Sequence, residues 1–212
     1  GYAWDQCGTD AVLKMSVDAN GKIVLPGGAS YEVLVLPKSD RMSAALLAKV
    51  FALVRDGATV VGGKPPKRAP GLAAARDAES LAAFKTSIAA LWGDAPAPKG
   101  ERSVGKGRFV WGTTPPAVLA AKGLRPDFVA THPLQQIHRR ADGTDIYFVA
   151  NGAKTSVLAQ ATFRATGQPE IWHPEHGKRI VAPVYRVAAD GTTTVMLPLA
   201  PTESYFVVFP KR

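Results

Sequence analysis

The chain has 212 residues, 46% of them apolar and 20% charged. That suits one large or two compact domains and excludes a mainly disordered polymer. Its 26 Lys and Arg against 17 Asp and Glu leave a net charge of +9. The cations are scattered, however. The denser groups at 64–68, 99–108 and Arg139-Arg140 lack the recognition-helix or RNP context of a nucleic-acid reader. No apolar run nears the ~20 residues that span a bilayer, so neither nucleic acid nor membrane is an expected partner. The one cysteine, Cys7, excludes an internal disulfide and thiolate zinc sites. The opening Gly1-Tyr2-Ala3-Trp4-Asp5 has no signal-peptide pattern, so an export signal, if the natural protein has one, is expected outside these residues.

Up to about residue 130 short apolar runs alternate with helical periodicity. A short helix is expected after Thr9-Asp10. A hairpin follows from 14–17 and 22–25, turning at Asn20-Gly21, a pair suited to the two positive-φ positions of a type I′ turn. Residues 31–36 are nearly all apolar and read as one strand covered on both faces. Ser43 is a good N-cap for a helix whose Leu46, Leu47, Val50, Phe51, Leu53 and Val54 share a face. Gly57 is a stop, and 58–61 read as a second buried strand, completing a right-handed βαβ unit. A loop at 65–70, a helix at 78–92, a strand at 107–111 and a short Pro-initiated helix at 116–122 finish a small α/β layer domain, placed at residues 1–131.

From His132 on, only strands and turns are visible. Strands are expected at 137–140 and 145–150, joined at Asp142-Gly143, then at 157–165, 170–172, 180–187, 193–197 and 205–209. Short strands at roughly ten-residue spacing indicate an antiparallel β-sandwich over residues 132–212. That is small for the fold, so its core is expected to lean on the first domain.

The chemistry-bearing motifs are sparse. Residues 57–64 (GATVVGGK) superficially resemble a phosphate loop. Ala58 replaces the first required glycine, Pro65 replaces the Ser/Thr, and no helix follows. His173-Pro174-Glu175-His176 offers two imidazoles, too few for zinc, and reads as a turn with polar tips. Cys7 lacks a strand-to-helix elbow and reads as an inert thiol. No pair of carboxylates is nominated for glycosidase chemistry. Trp92 and Trp111 read as core rather than as sugar platforms. The candidates that remain are His138 and Arg139, which open the sandwich beside the expected domain junction. With Arg139 on the inner face, its fork would clamp a carboxylate of the α/β part or of a neighbouring domain, and His138 would add a second donor. An alternative role for the pair is substrate contact. Loss of Arg139 from a buried pair would cost roughly 3–5 kcal/mol.

The order of segments carries further information. Gly21-Lys22-Ile23-Val24-Leu25-Pro26 and Ser30-Tyr31-Glu32-Val33-Leu34-Val35-Leu36-Pro37 are followed by Gly57-Ala58-Thr59-Val60-Val61-Gly62. Then come Leu91-Trp92-Gly93, Gly105-Lys106-Gly107-Arg108, Ile137-His138-Arg139-Arg140, Asp145-Ile146-Tyr147-Phe148-Val149-Ala150-Asn151 and Pro169-Glu170-Ile171-Trp172. Over nearly its whole length the chain resembles the region downstream of the catalytic barrel in α-L-rhamnosidases of glycoside hydrolase family 106. The resemblance implies a flavodoxin- or amidotransferase-like α/β domain without an amidotransferase nucleophile, followed by an accessory β-sandwich. For the parent protein it implies an inverting, calcium-assisted, periplasmic or extracellular hydrolase that removes terminal α-L-rhamnose from plant glycosides or pectic polysaccharides. The catalytic glutamates and the calcium belong, by this resemblance, to an upstream (β/α)8 barrel, which would be the chain's partner. No catalytic residue, metal ligand or cofactor is therefore assigned to these residues, and a free-standing carbohydrate-binding module is the alternative role. The family usually carries Asp where this chain has His173.

Overall fold

A computed structural model describes residues 1–70, 78–94 and 96–211. The chain divides into two compact units, one running from Gln6 to Leu124 and the other joining Gly1–Asp5 to the residues from Arg125 onward. The division falls a few residues before the 131/132 boundary expected from the sequence. Strand β8 (Phe128–Ala130) pairs with β11 (Val157–Phe163), and the backbone of Gly1 bonds to Asp127 and Phe128.

In the first unit, α1 (Thr9–Lys14) leads into an antiparallel three-stranded sheet of β1 (Ser16–Val17), β2 (Ile23–Val24) and β3 (Ser30–Tyr31). The β1–β2 turn forms where expected but by another device. Asn20 is absent from the positive-φ residues, and the Asp18 carboxylate instead accepts from the amides of Asn20 and Lys22 at 2.9 and 2.8 Å. Such an Asx-type bond organises the turn without type I′ geometry. The second sheet has the order β4-β5-β7-β6, comprising β4 (Leu34–Val35), β5 (Thr59–Gly62), β6 (Gly100–Val104) and β7 (Gly107–Trp111). β4, β5 and β7 run parallel, and β6 is antiparallel at the edge.

Two expectations change here. The apolar run 31–36 breaks into β3 and β4 on different sheets, and β4 is an edge strand with Val35 49% exposed. β6 went unread because Glu101, Arg102 and Ser103 present polar side chains to water, as an edge strand can. The central strand β5 is buried along its full length, as a strand in a parallel sheet should be.

Helix α2 (Ala44–Asp56) begins where Ser43 accepts the Leu46 amide at 3.2 Å and ends at Gly57, whose φ is 130°. Leu47, Val50, Leu53 and Val54 face inward and pack with Leu91, Trp92, Phe84 and Phe109. α3 (Ala78–Trp92) supplies the last helical face, and α4 (Pro115–Ala121) starts at Thr114 with prolines in its first turn. Gly107 permits the closest approach: a Cβ there would lie 2.1 Å from the Val54 carbonyl oxygen and 2.4 Å from that of Ala58. The second unit is a sandwich of two antiparallel sheets. One has the order β13-β12-β16-β10-β9 and the other β14-β15-β11-β8. The strands are β9 (Gln135–Ala141), β10 (Thr144–Ala150), β12 (Glu170–Trp172), β13 (Arg179–Val181), β14 (Tyr185–Val187), β15 (Thr193–Leu199) and β16 (Ser204–Phe209), with β8 and β11. The expected single strand 180–187 is two strands on opposite sheets, because fully buried Ala182 sits where the chain crosses between them. Tyr147, Val149, Val207 and Phe209 of one sheet meet Phe128, Phe163, Val195 and Leu197 of the other.

Candidate functional site

The β9–β10 hairpin is closed by Asp142-Gly143, both at positive φ (50° and 83°), which a two-residue turn of this kind requires. Its register sets Tyr147 opposite His138, Ile146 opposite Arg139 and Asp145 opposite Arg140. Tyr147 is fully buried, so the period of two along β9 points His138 inward and Arg139 outward. The expected inner-face arginine is thus corrected. Arg139 is exposed, its guanidinium reaches the His138 carbonyl at 3.4 Å, and it pairs with no carboxylate among the described residues.

His138 is the centre of a charged cluster. Its ring stacks on Tyr147 at 4.0 Å with planes 3° apart. Nδ1 lies 3.1 and 3.0 Å from the two oxygens of Asp127, and Nε2 lies 3.0 Å from Asp145 Oδ1. Arg164 donates to Asp127 Oδ1 through Nε at 3.3 Å and its terminal nitrogen at 2.9 Å. Asp127 is only 2% exposed. An ionised carboxylate can only accept, so both ring nitrogens must donate, and His138 is an imidazolium. Burial works against that charge, but Asp127 and Asp145 outweigh it and raise the His138 pKa above its ordinary value. Burial likewise opposes ionisation of Asp127, and His138 with Arg164 overrides it and holds that pKa down. The Tyr147 hydroxyl is pushed up by burial first, then by both carboxylates, and stays protonated.

The cluster joins the two sheets of the sandwich. Asp127 precedes β8 and Arg164 follows β11 in one sheet, while His138 and Asp145 lie on β9 and β10 in the other. Chemically it is a closed ionic lock. His138, its pKa raised by two flanking carboxylates, is placed as a structural donor rather than as a general base, and both carboxylates are engaged by cations. At the opposite end, buried Asn151 donates to the carbonyls of Thr155 and Ala200, each at 2.9 Å, and accepts from the Ala153 amide at 3.0 Å. Asp127, Asp145, Arg164 and Asn151 were all missed as site residues in the sequence. A signal existed for Asp145 alone, which the hairpin register sets opposite Arg140 on the strand that carries His138.

The remaining candidates stand apart from this cluster. His173 begins a turn in which the Gly177 amide donates to its carbonyl at 2.9 Å, and its ring lies edge-on to Tyr205. His176 lies 3.9 Å from the Glu175 carboxylate. Among the described residues no three His, Cys, Asp or Glu side chains converge to hold a metal ion. Cys7 is an exposed free thiol. Gly62 and Gly63 of the loop resembling a phosphate site instead serve packing: Phe109 lies under Gly62, and Trp92 Nε1 donates to the Gly63 carbonyl at 2.9 Å. Trp92 and Trp111 are core residues. No helix among the described residues is long and apolar enough to cross a membrane.

Comparison with known proteins gives the chain its relatives. Residues 1–186 match the family model described as alpha-L-rhamnosidase, glycoside hydrolase family 106. A rhamnosidase from Novosphingobium sp. PP1Y is similar in structure, with a TM-score of 0.86 and 35% identity, over 99% of this chain and 20% of that one. A putative beta-glucuronidase of Formosa agariphila is 38% identical over 99% of this chain and 17% of its own length. A beta-galactosidase from Bacillus circulans sp. alkalophilus shares the fold alone, at 13% identity and a TM-score of 0.52, over 85% of this chain and 33% of that one. The chain thus spans about a fifth of the length of the relatives that it matches over nearly all its residues. It belongs to the alpha-L-rhamnosidase family, glycoside hydrolase family 106.

Proposed function

We propose that these residues are a non-catalytic accessory portion of a larger α-L-rhamnosidase-like hydrolase, one that removes terminal α-L-rhamnose from plant glycosides or pectic polysaccharides. The observation that carries the reading is coverage. Nearly the entire chain aligns with about a fifth of a rhamnosidase of the same family, which leaves most of that enzyme's length to house the chemistry. The charged cluster agrees with this division. Asp127 is enclosed by His138 and Arg164, and Asp145 is held by His138. Both carboxylates are thus taken up in ion pairs inside the sandwich, whereas an inverting pair must flank a sugar and an attacking water. The amidotransferase-like and sandwich parts act as scaffold beside an upstream (β/α)8 barrel, which would carry the catalytic glutamates and the calcium of an exported parent enzyme. His138 fixes one sheet of the sandwich against the other and does no bond-breaking.

The test is an assay of the isolated 212 residues on an aryl α-L-rhamnoside. No turnover above the uncatalysed rate is expected, and weak or no affinity for rhamnose-containing oligosaccharides. Turnover at ordinary glycosidase rates, of order 1–1,000 per second, would place an active site within these residues and overturn the accessory reading.

A further inference from the structure

A cleft opens on the sandwich beside the ionic lock, with a volume of about 390 Å³. Its wall carries three cations, Arg140, Arg164 and Lys211, against one carboxylate, Asp145. Asp145 adds little negative potential, because His138 stands 3.0 Å from it. Arg140 is 69% exposed, and its Nε lies 3.7 Å from Asp145, beyond a hydrogen bond. Its planar fork is therefore left to solvent or to a ligand. Arg164 is turned toward Asp127 at the back of the cleft, 2.9 Å from its carboxylate, so the charge offered to a ligand comes from Arg140 and Lys211. The Lys211 stem lies over Gly143, where an added Cβ would come within 2.8 Å of it. Gly143 thereby lets the lysine approach the cleft.

We propose that this cleft binds the carboxylate of a uronic-acid residue in an acidic saccharide. A forked guanidinium beside an ammonium suits a planar carboxylate, which Arg140 can meet with two parallel bonds. The rest of the lining suits a ring behind that carboxylate. Pro210 and Ala165 supply apolar wall, and the Thr166 hydroxyl, donating to the Gly191 carbonyl at 2.6 Å, keeps lone pairs for a sugar hydroxyl. A bare phosphate would leave most of the space unfilled, whereas the volume falls within the range of small-molecule sites, roughly 300–1,000 Å³. The proposal is independent of the accessory reading: rhamnoside turnover by the chain would overturn that reading and leave this binding question untouched.

The experiment is an NMR titration of the 212-residue chain with digalacturonate, its dimethyl ester and inorganic phosphate as separate arms. Digalacturonate should bind with a Kd of about 1 mM, shifting the amides of Gly143, Gly191 and Lys211 and weakening as salt is added. The ester and phosphate should each bind at least about tenfold more weakly, and Arg140→Ala should weaken digalacturonate by a similar factor. Arg140 is exposed and outside the lock, so the variant should keep the wild-type spectrum elsewhere. Equal binding of the ester, equal binding of phosphate, shifts confined to another surface or an unchanged Arg140→Ala affinity would each overturn the proposal. The ester and phosphate arms use the unaltered chain, so the test stands even if the variant misfolds.

Discussion

The two units bury their interiors by different means. The α/β unit closes around aliphatic and aromatic side chains, with Thr59 the one buried polar residue described in it. Its best ion pairing, Glu32 between Lys22 and Lys122 at 2.8 and 3.1 Å, lies at the surface with all three side chains partly exposed. The sandwich buries Asp127, Asn151 and Thr193 and places a cluster of four charged side chains, Asp127, His138, Asp145 and Arg164, between its sheets. The difference follows from what each layer offers. A helix laid on a parallel sheet covers the strands with a continuous apolar face. Two small antiparallel sheets leave open ends where polar groups must be paired or pay desolvation. The lesson is that apolar packing dictates stability in the first unit, and charge state joins it in the second.

The largest effect that would sharpen this contrast is expected from Phe109→Ala. Phe109 is fully buried, edge-on to Trp92 at 4.4 Å. Its loss should cost about 3–5 kcal/mol, read as lost hydrogen-exchange protection in β5 and β7, with no dependence on pH between 5 and 9. A loss below about 1 kcal/mol would mean that the core collapses over the gap and that packing does not dominate there.

In the sandwich, His138→Ala should cost about 3 kcal/mol near pH 6, because Asp127 then stays buried with half its compensation. The pH dependence has a definite sign. The His138 pKa is raised on folding, so its contribution is complete below the unfolded value of about 6.5 and disappears as pH climbs through the folded value, at no more than about 1.4 kcal/mol per pH unit. The Asp127 pKa is lowered on folding. Its contribution is therefore present above about pH 3.9 and is lost as pH falls through the folded value. Protection of β10 amides should peak between those limits and decline on both sides. The His138→Ala chain should lack the alkaline decline; if it retains that decline in full, the lock is not its origin.

The smallest effect is expected at Arg139. The side chain is exposed and makes one long bond to a neighbouring carbonyl, so Arg139→Ala should change stability by less than about 0.5 kcal/mol. A loss near the 3–5 kcal/mol of a broken buried pair would restore the clamp that the inward reading of this residue implied.

Arg139 and His138 also mark how far sequence alone could reach. The strand and the tight turn at Asp142-Gly143 were legible, because positive-φ residues between alternating runs leave few other structures. Their sidedness was not, because β10 carries Tyr147 on one face and Phe148 on the other, so apolarity could not say which face the second sheet covers. Asp127 was illegible for a related reason: it precedes β8 in the other sheet, and only the packing of the two sheets brings it to His138.

Elsewhere local chemistry was sufficient. The Ser43 cap, the Gly57 stop and the apolar face of α2 determine that helix on their own, as the run 58–61 determines a buried strand, since each depends on neighbours within a few residues. The order of segments also determined the family. Tertiary structure alone decided the rest: that 31–36 and 180–187 each divide between sheets, that the polar run 100–104 is an edge strand, and that a histidine rather than an arginine faces inward. Those outcomes depend on which surface is covered by residues far away in the chain, and burial, unlike helix capping or turn conformation, is not a property of a local segment.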